Sequence, residues 1–467
     1  MTTSVRHSGR SRQWSLLALC GVLLLIGLPL IRLVLNVGFG FPAPAGDSIL
    51  FASVAQYHCA TGRFETPLFP LDPTGGLRYV WHGIGQPALL SWLNPDCSVR
   101  GGYLALGLLL LATFALVLRL LLPTRGWWVA LAVALVVFAL QSKQGFRPEA
   151  SAMLLVLACE GLRHRGSTLG WVAAAGLLPW FHPTAFLLYA AWWLLTTSRA
   201  ELSALLGHAG RVVAMAAAVQ LSLWAVYPFP VVDLLQGLSL QGRTFAQRAD
   251  GDVFTYFIRS DFFPLFGLAF AWAYAMCVVR KPALLLMLPL WWFYGFRVPP
   301  AYYNLVPPFG AMLLWLWWPG AQSPTRWYPQ ARVVLLGLCV MLAGAGLAQS
   351  VVRDGVSLVR YGSTLEAAAG QLAVVEASGL KPCQVPRWLT LMTEARAFEA
   401  SQQPTLRACR SSEPLARVDL VPPLELRQRP DRSLCTPWPQ GRPTPVLGRL
   451  FQSDSGYGFL ICPAAGP

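Results

Sequence analysis

An isolated acid, Asp47, stands in Gly46-Asp47-Ser48-Ile49-Leu50-Phe51, at the head of an otherwise apolar stretch. A carboxylate there can cap a helix by accepting backbone N–H groups. It can equally serve as a general base, taking a proton from an acceptor hydroxyl or amine. Three more charges crowd into Ser142-Lys143-Gln144-Gly145-Phe146-Arg147-Pro148-Glu149. Lys143 and Arg147 suit a phosphate: an Arg fork binds its oxygens bidentately, and a departing phosphate needs its developing charge neutralised. Glu149 is the second acid. Next to Arg147 it also fits an ion pair at a helix start, where the helix dipole favours Glu. Arg297 and the pair Tyr302-Tyr303 form a third group. His82 and His182 could donate hydrogen bonds to a substrate, although a lone His is more often structural.

These residues must be positioned by membrane helices. The 467-residue chain is 55% hydrophobic and only 12% charged, half the charged fraction of a soluble domain, with a mean hydropathy of +0.50. Its apolar runs are continuous rather than alternating, which favours helices over a β-barrel. The periodicity and run lengths predict about eleven spanning helices, near 14–36, 102–122, 127–142, 149–162, 167–181, 183–197, 212–230, 262–280, 282–297, 303–319 and 332–351. The formal net charge is +15. Short loops holding Arg125, Arg163 to Arg165, Arg199 and Arg211, Arg280 and Lys281, and Arg326 and Arg332 carry much of it. The positive-inside bias makes these loops cytoplasmic, so the charge reads as topology rather than nucleic-acid binding. The first run follows Arg6, Arg10 and Arg12 and lacks a cleavage pattern, so it reads as an uncleaved helix with a cytoplasmic N-terminus.

On this topology Lys143, Arg147, Arg243, Arg248, Arg259 and Arg297 lie outside, where the positive-inside bias does not explain them. Lipid headgroups could account for them; a phosphate site is the sharper reading. Cysteine placement agrees with the topology. Cys20, Cys159, Cys277 and Cys339 fall in predicted helices, while Cys59, Cys97, Cys383, Cys409, Cys435 and Cys462 fall in segments placed outside. Disulfides persist in that compartment, and we expect Cys59–Cys97 within the first loop. The four tail cysteines allow three connectivities.

Two units follow. Residues 1–351 form the transmembrane unit, with a long first external loop over 37–101. In that loop residues from Asp47 to Tyr57 read as a helix capped by Asp47 and stopped by Gly62, apolar enough to lie in the membrane interface. Residues 352–467 gain charge, Pro and Cys and read as a small mixed α/β domain, with a helix over Ser363–Ser378 and a hairpin joining Val446–Phe451 to Tyr457–Ile461. The fold class is thus an all-α polytopic membrane bundle with a small mixed α/β extracytoplasmic C-terminal domain.

No P-loop, dinucleotide fingerprint, His-Glu-x-x-His or nucleophile elbow occurs, which argues against an ATP-driven pump or a soluble-type hydrolase. Paired-cysteine zinc spacing is absent too. The order of the remaining features resembles the GT-C-fold glycosyltransferases, membrane enzymes that use lipid-phosphate-linked sugars. These include protein O-mannosyltransferases and the bacterial aminoarabinose transferase that modifies lipid A. The resemblance rests on the first-loop acid in Gly46-Asp47-Ser48, the x-Gly-x-Pro segment Gly85-Gln86-Pro87, the charged second loop Arg147-Pro148-Glu149, and Arg297 with Tyr302-Tyr303. It implies sugar transfer, with inversion, from a polyprenyl-phosphate donor to a periplasmic, lipid or glycan acceptor in a bacterial inner membrane. Asp47 would be the base. Arg147, Arg297 and Lys143 would hold the phosphate, with Glu149, His82, His182 and Tyr302 lining the substrate site. Ser48 stands where several members have a second acid, and no second-loop Asp-x-Asp follows, so a divalent metal is unsupported and no cofactor is certain. Partners are membrane lipids and the lipid-linked sugar, with other envelope glycan enzymes compatible and nucleic acid not expected. Two other classes use the same features: a transporter or flippase for a lipid-linked saccharide, and an envelope-assembly scaffold.

Overall fold

The computed structural model describes residues 26–40, 47–65, 79, 82–226, 235, 239, 305–317 and, with gaps, 336–358, together with 417–421, 436–438 and 458–462. Its helices are α1 (Ile26–Phe39), α2 (Asp47–Thr61), α3 (Gly85–Trp92), α4 (Val99–Arg125), α5 (Trp127–Ser142), α6 (Glu149–His164), α7 (Thr168–Phe181), α8 (Pro183–Thr196), α9 (Arg199–Gly207), α10 (Ala209–Val226), α11 (Val306–Trp317) and α12 (Cys339–Val352). The helices expected near 262–280 and 282–297 lie outside the described residues. Among the described residues α4 and α10 are long and apolar enough to cross a membrane, and α1, α5, α7, α8 and α12 are shorter apolar helices.

Local chemistry sets the ends. Ser98 opens α4, its side chain accepting the Gly101 N–H at 2.9 Å, the usual way of satisfying a first-turn donor. Gly126, at φ +78°, separates α4 from α5. Pro183 takes the first turn of α8, where its missing N–H costs nothing. Gly62, at φ +74°, ends α2 by donating its N–H to the His58 carbonyl at 2.8 Å, the stop expected of it. The Cys59–Cys97 disulfide also forms as expected, tying the end of α2 to the turn before α4.

Two apolar cores stack along the bundle. One joins α4 to α5, α6, α8 and α11 through Val137, Met153, Leu157, Trp192, Phe309 and Leu314. The other gathers α2 and α3 against the start of α4 through Phe51, Val54, Leu90, Tyr103, Phe146 and Trp180. α2 is enclosed by protein rather than turned to lipid, with Phe51, Ser53 and Val54 fully buried and Tyr57 nearly so. A helix apolar all round is as well suited to a protein interior as to lipid.

Buried charge pairs mark both ends of the bundle. Arg32 of α1 bonds Asp354, just past α12, at 3.2 Å and Ser142, the last residue of α5, at 2.7 Å. The middle of the described α1 thus lies beside the ends of α5 and α12. At the other end Glu160 of α6, fully buried, meets Arg163, His164 and the Tyr189 hydroxyl at 3.4, 3.4 and 2.9 Å. In the tail, β1 (Arg417–Val421), β2 (Thr436–Trp438) and β3 (Gly458–Cys462) form an antiparallel sheet in the order β1-β3-β2. The expected second strand of the hairpin corresponds to β3. Its partner is β1 on one side and β2 on the other, while Val446–Phe451 and the helix expected over 363–378 lie outside the described residues.

Candidate functional site

The turn between α5 and α6 folds through its own backbone. Gln144 N–H reaches Gln141 O at 3.0 Å, Arg147 N–H reaches Gln144 O at 3.2 Å, and Ala150 N–H reaches Arg147 O at 3.2 Å. Gly145 supplies φ +57°, and a Cβ there would come within 3.1 Å of the Ser48 hydroxyl. That approach seats the head of α2, with Asp47 as its first helical residue, directly on the turn that carries Lys143 and Arg147. The helix start agrees with the expected position of Asp47 to within one residue.

Gln86 of α3 locks the same turn. Its Nε2–H donates to the Phe146 carbonyl at 3.3 Å, and its Oε1 accepts from the Ser151 hydroxyl of α6. Gly83 and Gly85 lie against the α7–α8 corner: a Cβ on Gly83 would collide with the Trp180 carbonyl, and one on Gly85 would sit 2.6 Å from the Phe181 ring. Glycine at both positions is what lets the loop approach that corner so closely.

At the centre is a charged constellation. Arg147 donates Nε–H and NH2–H to the Glu149 carboxylate, at 3.2 Å to Oε2 and 2.8 Å to Oε1. The side chains are 11% and 0% exposed. His182 caps α8: its Nδ1 accepts the Ala185 N–H at 3.2 Å. That bond fixes the tautomer, because an Nδ1 that accepts leaves the proton on Nε2. Nε2 then faces Glu149 Oε1 at 3.5 Å. His82 packs on His182, with ring centroids 5.0 Å apart, and on Phe51 of α2 at 5.3 Å. Burial, and next the neighbouring His182, push the His82 imidazole well below its ordinary value of 6.5.

The structure brings together Arg147, Glu149, His182 and His82 from the expected residues. Lys143, half-buried, is on the same turn as Arg147. Arg297 and Tyr302 lie outside the described residues, as do Arg243, Arg248 and Arg259. Glu149 has the geometry of the ion-pair reading: a carboxylate held by Arg147 and His182 is a poor proton acceptor but a good anchor for the guanidinium. Two members of the site went unassigned in the sequence. Gln86 was visible only as the x in x-Gly-x-Pro. Tyr79 is 4% exposed, packs edge-on to Phe51 and has a buried hydroxyl beside the His82 backbone. Burial above all, then the Glu149 charge, push its phenol well above 10. A neutral phenol keeps its proton and so can donate a hydrogen bond. Among the described residues no group of three or more His, Cys, Asp or Glu is placed to hold a metal ion.

No protein-family model and no curated protein matches the chain. Solved structures do. ArnT from Cupriavidus metallidurans in the apo state matches with a TM-score of 0.53 and 13% identity, over 96% of this chain and 99% of that one. The same protein bound to undecaprenyl phosphate matches with a TM-score of 0.49 and 12% identity over the same shares. At such identity the likeness speaks to architecture alone: the chain shares the overall fold of ArnT.

Proposed function

We propose that this chain is a membrane glycosyltransferase that moves a sugar from a polyprenyl-phosphate donor to a periplasmic, lipid or glycan acceptor. The observation that carries the reading is the buried Arg147–Glu149–His182 constellation lying against the head of α2. A flippase for a lipid-linked saccharide would use the same cations without chemistry; against it, charge inside the expected helices is sparse. A guanidinium fixed by a carboxylate suits the charge that develops as a phosphate leaves.

In this scheme Asp47 takes the proton from the acceptor hydroxyl or amine as the acceptor atom attacks the anomeric carbon. The bond from that carbon to the phosphate oxygen breaks, and polyprenyl phosphate leaves with the bonding electrons. The configuration inverts. Arg147, Lys143 and Arg297 neutralise the phosphate. Glu149 and His182 hold Arg147, while His82, Tyr79 and Tyr302 shape the sugar pocket. Like the rest of the scheme, the membrane assignment is a proposal: a bacterial inner membrane, with the N-terminus cytoplasmic and the tail periplasmic.

The test is transfer by the purified protein in vesicles supplied with a polyprenyl-phosphate sugar. Asp47→Asn lowers the rate by about 100-fold or more, the range for removing a general base, and leaves donor affinity unchanged. Arg147→Ala weakens donor binding. If Asp47→Asn transfers at the parent rate, the base assignment fails. If Arg147→Ala binds donor normally, the phosphate assignment fails.

A further inference from the structure

The buried polar cluster at the end of the bundle opposite Arg147 fixes a helix whose outer face is left to its surroundings. α9 begins with a reciprocal cap: Glu201 N–H donates to the Ser198 hydroxyl at 3.2 Å, and Ser198 N–H donates to Glu201 Oε2 at 2.7 Å. The same carboxylate accepts from Arg163 of α6 at 3.0 Å, and Arg163 also reaches Glu160 at 3.4 Å and Thr196 at 2.8 Å. The Arg163 side chain is 6% exposed. Charge rather than apolar packing therefore holds α9, since no residue of α9 is buried.

What α9 turns outward is apolar. Leu202 is 47% and Leu206 69% exposed, and residues four apart share a face. α10 starts at Ala209, immediately beyond, and nothing in its apolar 18-residue window is buried in protein. The α9 leucines thus continue the surface that α10 offers to acyl chains. Around them Arg165, Arg199 and Arg211 are exposed and form no ion pair among the described residues. The two described acids at this end, Glu160 and Glu201, both engage Arg163. Leucines at the end of a span, ringed by long cations with no ion-pair partner among the described residues, match the boundary where acyl chains meet anionic phosphates. An acidic soluble partner would match the cations but not the leucines continuous with α10.

We infer that α9 is an interfacial helix that binds anionic phospholipid, with Leu202 and Leu206 among the acyl chains and Arg165, Arg199 and Arg211 on the headgroup phosphates. The site is on the opposite end from the proposed chemistry and does not depend on it.

The test uses the full-length protein in detergent, offered phosphatidylglycerol or phosphatidylcholine, with retained lipid counted by native mass spectrometry. Phosphatidylglycerol is retained in preference. The triple variant Arg165→Gln, Arg199→Gln, Arg211→Gln weakens that retention on the order of 100-fold, at about fivefold per arginine. Arg100→Gln, an exposed arginine at the start of α4, leaves it unchanged. Equal retention of the two lipids, or a triple variant that behaves as the parent, overturns the inference. A benzophenone side chain placed at position 206 gives a second readout in phosphatidylglycerol vesicles without touching the charges. It captures phospholipid on illumination; capture of protein alone, or of nothing, overturns the inference as well.

Discussion

Replacing Glu149 by Gln asks whether this carboxylate exists to neutralise Arg147. The geometry fixes the consequence. Glu149 Oε1 accepts from Arg147 NH2 at 2.8 Å and faces His182 Nε2 at 3.5 Å, while Oε2 accepts from Arg147 Nε at 3.2 Å. Three donors converge on two acceptors. Gln offers one acceptor and one amide nitrogen, so in either orientation an N–H is set against an N–H of Arg147 or His182. The guanidinium, 11% exposed, also keeps its charge while losing the Glu149 carboxylate. Removing one partner of a buried pair costs about 3–5 kcal/mol, whereas an exposed pair is worth at most about 1 kcal/mol. The assay is thermal unfolding of the detergent-solubilised protein, compared across Glu149→Gln, Arg147→Gln and the double variant. The double variant recovers most of the loss, because the guanidinium goes together with the carboxylate it faces. Donor affinity falls in Glu149→Gln even at temperatures where the protein is folded, since Arg147 is then loosely held. A loss below about 1 kcal/mol, or a double variant with the summed loss of the singles, would refute the view that Glu149 acts through Arg147.

Tyr79→Phe removes a buried hydroxyl beside His82 and the Glu149 charge. It should change stability by no more than about 1.5 kcal/mol, while lowering transfer; a fully active variant would remove Tyr79 from the site. His82 is held below its ordinary 6.5 by burial, so above pH 6.5 it is neutral in both folded and unfolded protein. Below pH 6.5 the unfolded chain takes up the proton first, and stability declines by up to about 1.4 kcal/mol per pH unit until the folded value is reached. The thermal midpoint of His82→Asn falls less steeply over that window; equal slopes would contradict this. Cys59 and Cys97 close a loop with a sequence separation of 38. The chain-entropy relation gives a loss of about 4 kcal/mol when the bridge is removed, measurable as a lower midpoint for Cys59→Ser/Cys97→Ser and as its appearance in reduced parent protein.

How far the molecule was legible in its sequence depended on the range of each interaction. Helix ends set by neighbours were legible: Gly62 stops α2, Gly126 divides α4 from α5, and Pro183 opens α8. The pairing of Arg147 with Glu149 was legible for the same reason, as the two residues are two apart. α9 was spelled out by Ser198-Arg199-Ala200-Glu201, a capping box, but the stretch reads as a basic loop when the charges are counted for topology alone. Pairs with distant partners left no such mark. Arg32 meets Asp354 across 322 residues, and within the first apolar run it counts merely as one tolerated charge. Glu160 and Tyr189 become partners only when α6 and α8 pack.

The environment of α2 was the least legible feature, because apolarity cannot separate lipid from protein as the solvent of a helix. The difference bears on chemistry. An acid at the head of an interfacial helix has headgroups and water for company. The first turn of α2 instead has protein around it: Ser48 against Gly145, and Phe51 against Tyr79 and His82. Backbone placement thus delivers residue 47 to the one turn that carries Lys143 and Arg147. A helix cap needs only its own first N–H groups and would work as well at a lipid boundary. The enclosure of α2 fills one of the two apolar cores, and it also fixes the backbone at residue 47 beside the turn that carries Lys143 and Arg147; the proposed base draws on that placement.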